Sequence, residues 1–161
     1  MVIVYQSKTG FTKKYADMLS EATGMKAYPT SRLSSIDKQE EIVFLGWMKI
    51  GKIQGLKKVT GHNLIAVLGS GTGRTAEPDE ETIISRNQLE DIPFFYARGG
   101  CFPIKSLKGL DRLLMGLFLR ALRKRNEEDE ETVEAIEIIE NGFDGVKQEN
   151  LTGLIEWLKA R

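Results

Sequence analysis

Short runs of consecutive apolar residues alternate in this chain with longer stretches whose apolar residues recur every three or four positions, and that alternation admits few architectures. Val2-Ile3-Val4-Tyr5, Ile42-Val43-Phe44-Leu45 and Leu64-Ile65-Ala66-Val67-Leu68 are unbroken apolar runs, the pattern of strands buried on both faces. Met25 to Tyr28, ahead of Pro29, and Pro93 to Ala97 read as two further strands. Thr12 to Ala22 carries Tyr15, Met18, Leu19 and Ala22 at helical spacing, Ser34 to Glu41 predicts a short helix, and Asp79 to Asn87 a helix with acids in its first turn. Ser106 to Arg125, Thr132 to Glu140 and Gln148 to Ala160 are the remaining helical stretches, the last with Leu151, Leu154, Ile155 and Leu158 on one face. Strands alternating with helices predict an α/β fold: a parallel sheet covered on both faces, with right-handed crossovers. No repeat or linker divides the chain, so its 161 residues are expected to form a single domain spanning 1–161.

Several classes of function are disfavoured. Basic and acidic residues balance at 23 each, which gives no electrostatic argument for nucleic acid. Cys101 is the only cysteine and His62 the only histidine, so no metal cluster and no Ser/His/acid or Cys/His arrangement is expected. His62, between Gly61 and Asn63, reads as a turn residue. No stretch reaches the roughly 18 apolar residues of a membrane span. The N-terminus has no signal-like succession, and the expectation is a cytoplasmic protein.

In an open parallel sheet, ligands bind beyond the carboxyl ends of the strands, where strand order reverses. The loop after the first strand, Ser7-Lys8-Thr9-Gly10-Phe11-Thr12, offers three hydroxyls, a glycine and the unsatisfied amides of a helix N-terminus, the elements of an anion cradle. Two other glycine-rich segments are weaker. Gly46-Trp47-Met48-Lys49-Ile50-Gly51-Lys52-Ile53 has Walker A spacing, but Ile53 stands where Ser or Thr must ligate Mg²⁺. Gly69-Ser70-Gly71-Thr72-Gly73 follows a strand but lacks the full dinucleotide spacing and its acidic partner.

Ser7, Thr9, Gly10 and Thr12 match the Ser/Thr-x-Thr-Gly-x-Thr phosphate loop that follows the first strand in the flavodoxin family, and the chain resembles that family. The resemblance implies a three-layer, doubly wound, five-stranded parallel sheet in the order 2-1-3-4-5, with extra C-terminal helices, and non-covalently bound FMN as cofactor. It places the FMN phosphate on Ser7, Lys8, Thr9, Gly10, Phe11 and Thr12, and the flavin ring between Trp47, Met48, Lys49, Ile50 and Gly51 on one side and Ser70, Gly71, Thr72, Gly73 and Arg74 on the other. Trp47 is the stacking candidate, and Lys49, Lys52 or Arg74 a cation favouring the reduced flavin. Electron transfer is the expected function. An FMN-dependent oxidoreductase and a cofactor-free binding domain stand as alternatives, and no general base is evident at these loops.

Zero net charge and long C-terminal material depart from typical flavodoxins, which are acidic. Here the chain resembles the branch containing the flavodoxin-like protoporphyrinogen oxidases, loosely at Arg98-Gly99-Gly100-Cys101-Phe102-Pro103 and Asp111-Arg112-Leu113-Leu114-Met115. That likeness implies a redox partner protein or a quinone, at the inner face of the membrane, as electron acceptor. Lys105, Lys108, Arg112, Arg120, Arg123, Lys124 and Arg125 precede an acidic run from Glu127 to Glu131, as a solvated helix end followed by an acidic helix start would. At about 100° per residue, Leu107, Leu110, Leu114, Leu117, Phe118 and Ala121 share a face that should pack on the sheet. Met115 and Leu119 then project among Lys108, Arg112 and Arg123, as a contact surface for a membrane or partner, unless a later helix covers them.

Overall fold

The computed structural model describes residues 1–124 and 130–161. They form two compact units, Met1–Gly99 with Gly145–Arg161, and Gly100–Asp144.

The first unit is α/β. Strands β1 (Val2–Gln6), β2 (Ala27–Pro29), β3 (Glu41–Lys49), β5 (Asn63–Gly71) and β6 (Phe94–Arg98) pair in parallel in the order β2-β1-β3-β5-β6, and the short β4 (Lys52–Ile53) folds back antiparallel on β3. Helices α1 (Phe11–Thr23), α2 (Glu80–Asn87) and α5 (Thr152–Lys159) complete it. Successive strand residues point to opposite faces, so the continuous apolar runs feed two cores. Ile3, Val43, Leu45, Ala66 and Leu68 pack with Tyr15, Ala16 and Leu19 of α1 and with Leu151 and Leu154. Val4, Ile42, Phe44 and Val67 pack with Ile83 of α2 and with Leu56 and Val59. The expected sheet covered on both faces is thus present.

Local chemistry moved several boundaries. In place of a helix over Ser34 to Glu41 there is a 3-10 turn at Thr30–Ser35. The Asp37 carboxylate and carbonyl then accept from the amides of Gln39 and Glu40, at 2.8 and 3.1 Å, a side-chain turn that competes with helix. The end of β5 runs through Gly69, Ser70 and Gly71, which look like loop in the sequence. The helix predicted from Gln148 opens instead as a 3-10 turn over Gln148–Leu151. Asp79 caps α2 by accepting from the Thr82 amide and hydroxyl, both at 2.8 Å. Those bonds hold its carboxyl below the usual carboxylate range.

Tyr15 ties the first unit together where the chain leaves it and returns. Its ring is fully buried, and its hydroxyl donates to the Arg98 carbonyl at 2.5 Å. Asn150 donates to the Tyr15 hydroxyl at 2.5 Å and to the Gly145 carbonyl at 3.0 Å, while the Gly145 amide donates to the Gly99 carbonyl at 2.8 Å.

The second unit contains β7 (Gly100–Cys101) paired antiparallel with β8 (Phe143–Asp144), and helices α3 (Gly109–Arg123) and α4 (Glu130–Asn141). A 3-10 turn at Ile104–Ser106 replaces the predicted start of α3. Arg125 and most of the acidic run, Glu127 to Asp129, lie outside the described residues. Leu119, Leu122 and Ile139 form a small core joined by Ile104, Met115, Ala135 and Ile136, and Arg123 pairs with Glu140. This reverses the expected orientation of α3. Leu119 is buried and Met115 half-buried, whereas Leu110, Leu114, Leu117 and Phe118, expected to be core, are exposed with Leu113. The helical period identifies a face but not which face α4 covers. Among the described residues no helix is long and apolar enough to cross a membrane.

Candidate functional site

Strand register brings the candidate loops to one edge of the first unit. Gln6, Gly46, Gly69 and Tyr96 lie in one row across β1, β3, β5 and β6, and Trp47, Ser70 and Ala97 in the next. Ser7, the residue after Gln6, therefore leaves the sheet on the same level as Trp47 and Ser70.

Gly10 is the N-cap of α1, at φ 95°, a left-handed conformation that L side chains rarely adopt. Having no side chain, it leaves the first amides of α1 without a capping oxygen of its own. A Cβ built on it would meet nothing within 4 Å, so the space beside the cap is open. The Gly10 amide donates to Ser7 Oγ at 3.1 Å, closing the loop around that opening. Lys8 and Thr9 are exposed, while Phe11 and Thr12 are buried and anchor the loop. The residues present fit a phosphate: hydroxyls, helix amides and an open volume at one point.

Gly46 to Ile53 forms a hairpin rather than the expected loop. Ile50 at φ 50° and Gly51 at φ 70° turn the chain, the sign pattern of a type I′ turn, whose twist suits a hairpin. Alternation along β3 separates the candidates. Trp47 is half-buried, with the Lys8 ammonium 5.6 Å from its ring centroid, within cation–π range. Met48 instead packs into the core on the α2 face of the sheet, with its sulfur against Gly69. Lys49 and Ile50 are exposed at the tip. The tip is fastened to α2: the Asn87 amide group donates to the Gly51 carbonyl at 2.8 Å and Arg86 to the Ile50 carbonyl at 3.2 Å. Gly51 is buried against Pro78 and Arg86.

A β-branched residue with positive φ is strained, and Ile50 is 83% exposed, so packing gives little in return. Ile50→Gly is expected to raise the unfolding free energy by up to about 1 kcal/mol, the left-handed penalty less the glycine entropy cost. An upward shift of the urea midpoint at unchanged slope checks this.

The Gly71–Gly73 segment is held from β6. The Tyr96 hydroxyl donates to the Gly73 carbonyl at 2.8 Å, Arg98 Nε to the Thr72 carbonyl at 3.2 Å and the Gly99 amide to the Gly71 carbonyl at 2.6 Å. Burial, with Glu77 nearby, pushes the Tyr96 hydroxyl well above its ordinary range, so it remains a donor. A Cβ on Gly71 would lie 2.8 Å from the Tyr96 hydroxyl, so glycine is needed there to admit the tyrosine. Ser70 is buried, and Thr72 and Arg74 are exposed.

No protein-family model matches this chain. No curated protein matches it either.

Sequence reasoning missed Gln6, Tyr96 and Arg98. Gln6 Oε1 accepts from Thr30 at 2.6 Å and from Lys58 at 2.9 Å, fixing the end of β1 to neighbouring segments. Gln6 and Arg98 lie at strand ends, a position that could have marked them once the sheet was aligned, whereas Tyr96 lies in the middle of β6. Cys101 is half-buried, and its Sγ donates to the Ile138 carbonyl at 3.5 Å. Burial raises its pKa, which keeps it a thiol rather than a nucleophilic thiolate.

Proposed function

We propose that the first unit is a doubly wound, flavodoxin-like domain that binds FMN non-covalently and transfers electrons through it. The observation that carries this reading is the open, left-handed Gly10 cap at the start of α1, closed by Ser7 and set at the carboxyl edge of a parallel sheet. In this reading Ser7, Thr9 and the amides of Phe11 and Thr12 hold the phosphate, while the Gly10 amide keeps Ser7 in place. Lys8 and Trp47 flank the ring on one side and Thr72, Gly73 and Arg74 on the other. Met48, Ile50 and Gly51 support the hairpin instead of contacting the ring. Bound FMN supplies the redox chemistry, accepting and returning one or two electrons.

The chain's own residues then have limited tasks. Tyr96, Arg98 and Gly99 hold the Gly71–Gly73 carbonyls and so preset the loop before any ligand arrives, which lowers the cost of ordering it on binding. Lys8, Lys49 and Arg74 place positive charge at the edge, favouring an electron-rich, anionic ligand.

The test is titration of the purified chain with FMN, followed by visible absorbance and, in a Trp157→Phe variant that leaves Trp47 as the one tryptophan, by fluorescence. The expected result is a saturable flavin spectrum with a shifted band and quenching of Trp47, reversible by excess inorganic phosphate. An unshifted flavin spectrum and unchanged fluorescence would refute the assignment.

A further inference from the structure

The most anomalous surface on the described residues lies on α3. Leu110 is 68% exposed and Leu113 60%, and Leu114, Leu117 and Phe118 are each about half exposed. On a helix of about 3.6 residues per turn these five side chains form one continuous stripe. α4 does not account for them, because it packs against Met115, Leu119 and Leu122 on the other side of α3. Single exposed leucines need no explanation, but five in one stripe mark a surface that meets something apolar.

Charge on the same helix selects the occupant. Arg112 and Arg120 lie eight residues apart, about 12 Å along the axis. Gly116 between them, and Gly109 one turn before Arg112, leave the helix surface bare. The result is a shallow trough of about 410 Å³, lined by Gly109, Arg112, Leu113, Gly116, Leu117 and Arg120. Lys105, Lys108 and Lys124 are exposed at the two ends of the helix, and Asp111 is the only acid on it. An apolar stripe beside a cationic trough matches the boundary of an anionic bilayer, where acyl chains lie just beneath phosphates. A second copy of α3 fits less well, since antiparallel pairing through the leucines would bring the two arginine edges to the same side.

We propose that α3 is a peripheral membrane anchor for anionic phospholipid, lying in the plane of the surface with Leu110, Leu113, Leu114, Leu117 and Phe118 among the acyl chains and Arg112 and Arg120 on headgroup phosphates. At 15 residues it lies on the bilayer rather than crossing it. The proposal does not depend on the FMN reading.

The experiment is flotation of the full chain, without flavin, on vesicles of phosphatidylcholine containing about one-third phosphatidylglycerol, against vesicles of phosphatidylcholine alone. Binding is expected only to the anionic vesicles, with loss in about 0.5 M NaCl as phosphate contacts are screened. Leu113→Gln with Leu117→Gln should weaken binding roughly hundredfold, and Arg112→Gln with Arg120→Gln about thirtyfold. All four positions are exposed, and matching thermal unfolding of the variants will verify that they fold. Failure to float with anionic vesicles would overturn the proposal, as would flotation undiminished in the leucine variant. A dimer on sizing that becomes monomeric in the leucine variant, without vesicle binding, would assign the stripe to a second copy instead.

Discussion

Tyr15→Ala is expected to destabilise the protein by about 3–5 kcal/mol, the usual cost of emptying a large aromatic site in a packed core. Folded domains hold only roughly 5–15 kcal/mol in total, so this single change should remove a large part of the stability. Two losses combine at this position. The ring is fully buried between α1, the sheet and Leu151 and Leu154, and its removal leaves a cavity that this close-packed core cannot easily collapse. The hydroxyl also receives Asn150 and donates to Arg98, so its partners are left short of hydrogen bonds inside the protein. Tyr15→Phe separates the two effects. It keeps the ring and should cost about 1–3 kcal/mol, the desolvation penalty of the stranded groups. Equilibrium urea unfolding of both variants measures the difference. If Tyr15→Phe is neutral, the hydroxyl network contributes nothing and the effect is packing alone.

Gly10→Val should eliminate detectable FMN binding, a loss of at least about a hundredfold, because the branched side chain would fill the open volume at the helix N-terminus and displace the backbone that presents the amides. The same substitution should cost about 1–2 kcal/mol of stability, since φ near 95° is unfavourable for any residue with a Cβ. Gly10→Ala is the informative partner. It carries most of the backbone penalty with little of the steric block, and a Cβ there touches nothing. Flavin titration alongside urea unfolding distinguishes them: equal stability losses with unequal binding losses point to occupation of the cradle. If Gly10→Val binds FMN as the parent chain does, the phosphate lies elsewhere and the functional assignment fails.

The parallel sheet was legible because β1, β3 and β5 are buried on both faces, and only continuous apolar runs such as Ile42 to Leu45 satisfy that environment. The loop between β1 and α1 was legible because its hydroxyls and glycine are contiguous, and the phosphate we propose for it rests on that same cluster. The segments around Trp47 and Gly71 were harder to read. Trp47 and Met48 are adjacent in sequence, yet β3 continues through both and sends them to different surroundings. Glycine at 71 has the same appearance in sequence whether it admits a ligand or, as here, the Tyr96 ring. The orientation of α3 was beyond reach for a different reason. Its apolar residues cover more than one face, and hydrophobic periodicity contains no information about which face a neighbour will claim. Residues such as Arg98 and Gln6 act through partners distant in sequence, Thr72, Thr30 and Lys58, which no local pattern encodes.

The hydrogen bond from Gly145 to the Gly99 carbonyl makes residues 100–144 an excursion that departs and lands at the same doorway. The sheet register and both cores are complete without them, drawn wholly from residues on either side. Such a socket lets evolution exchange, extend or trim whatever is plugged into it while the cradle at Gly10 stays untouched. If both proposals hold, surface targeting and cofactor chemistry can diversify independently within one gene product.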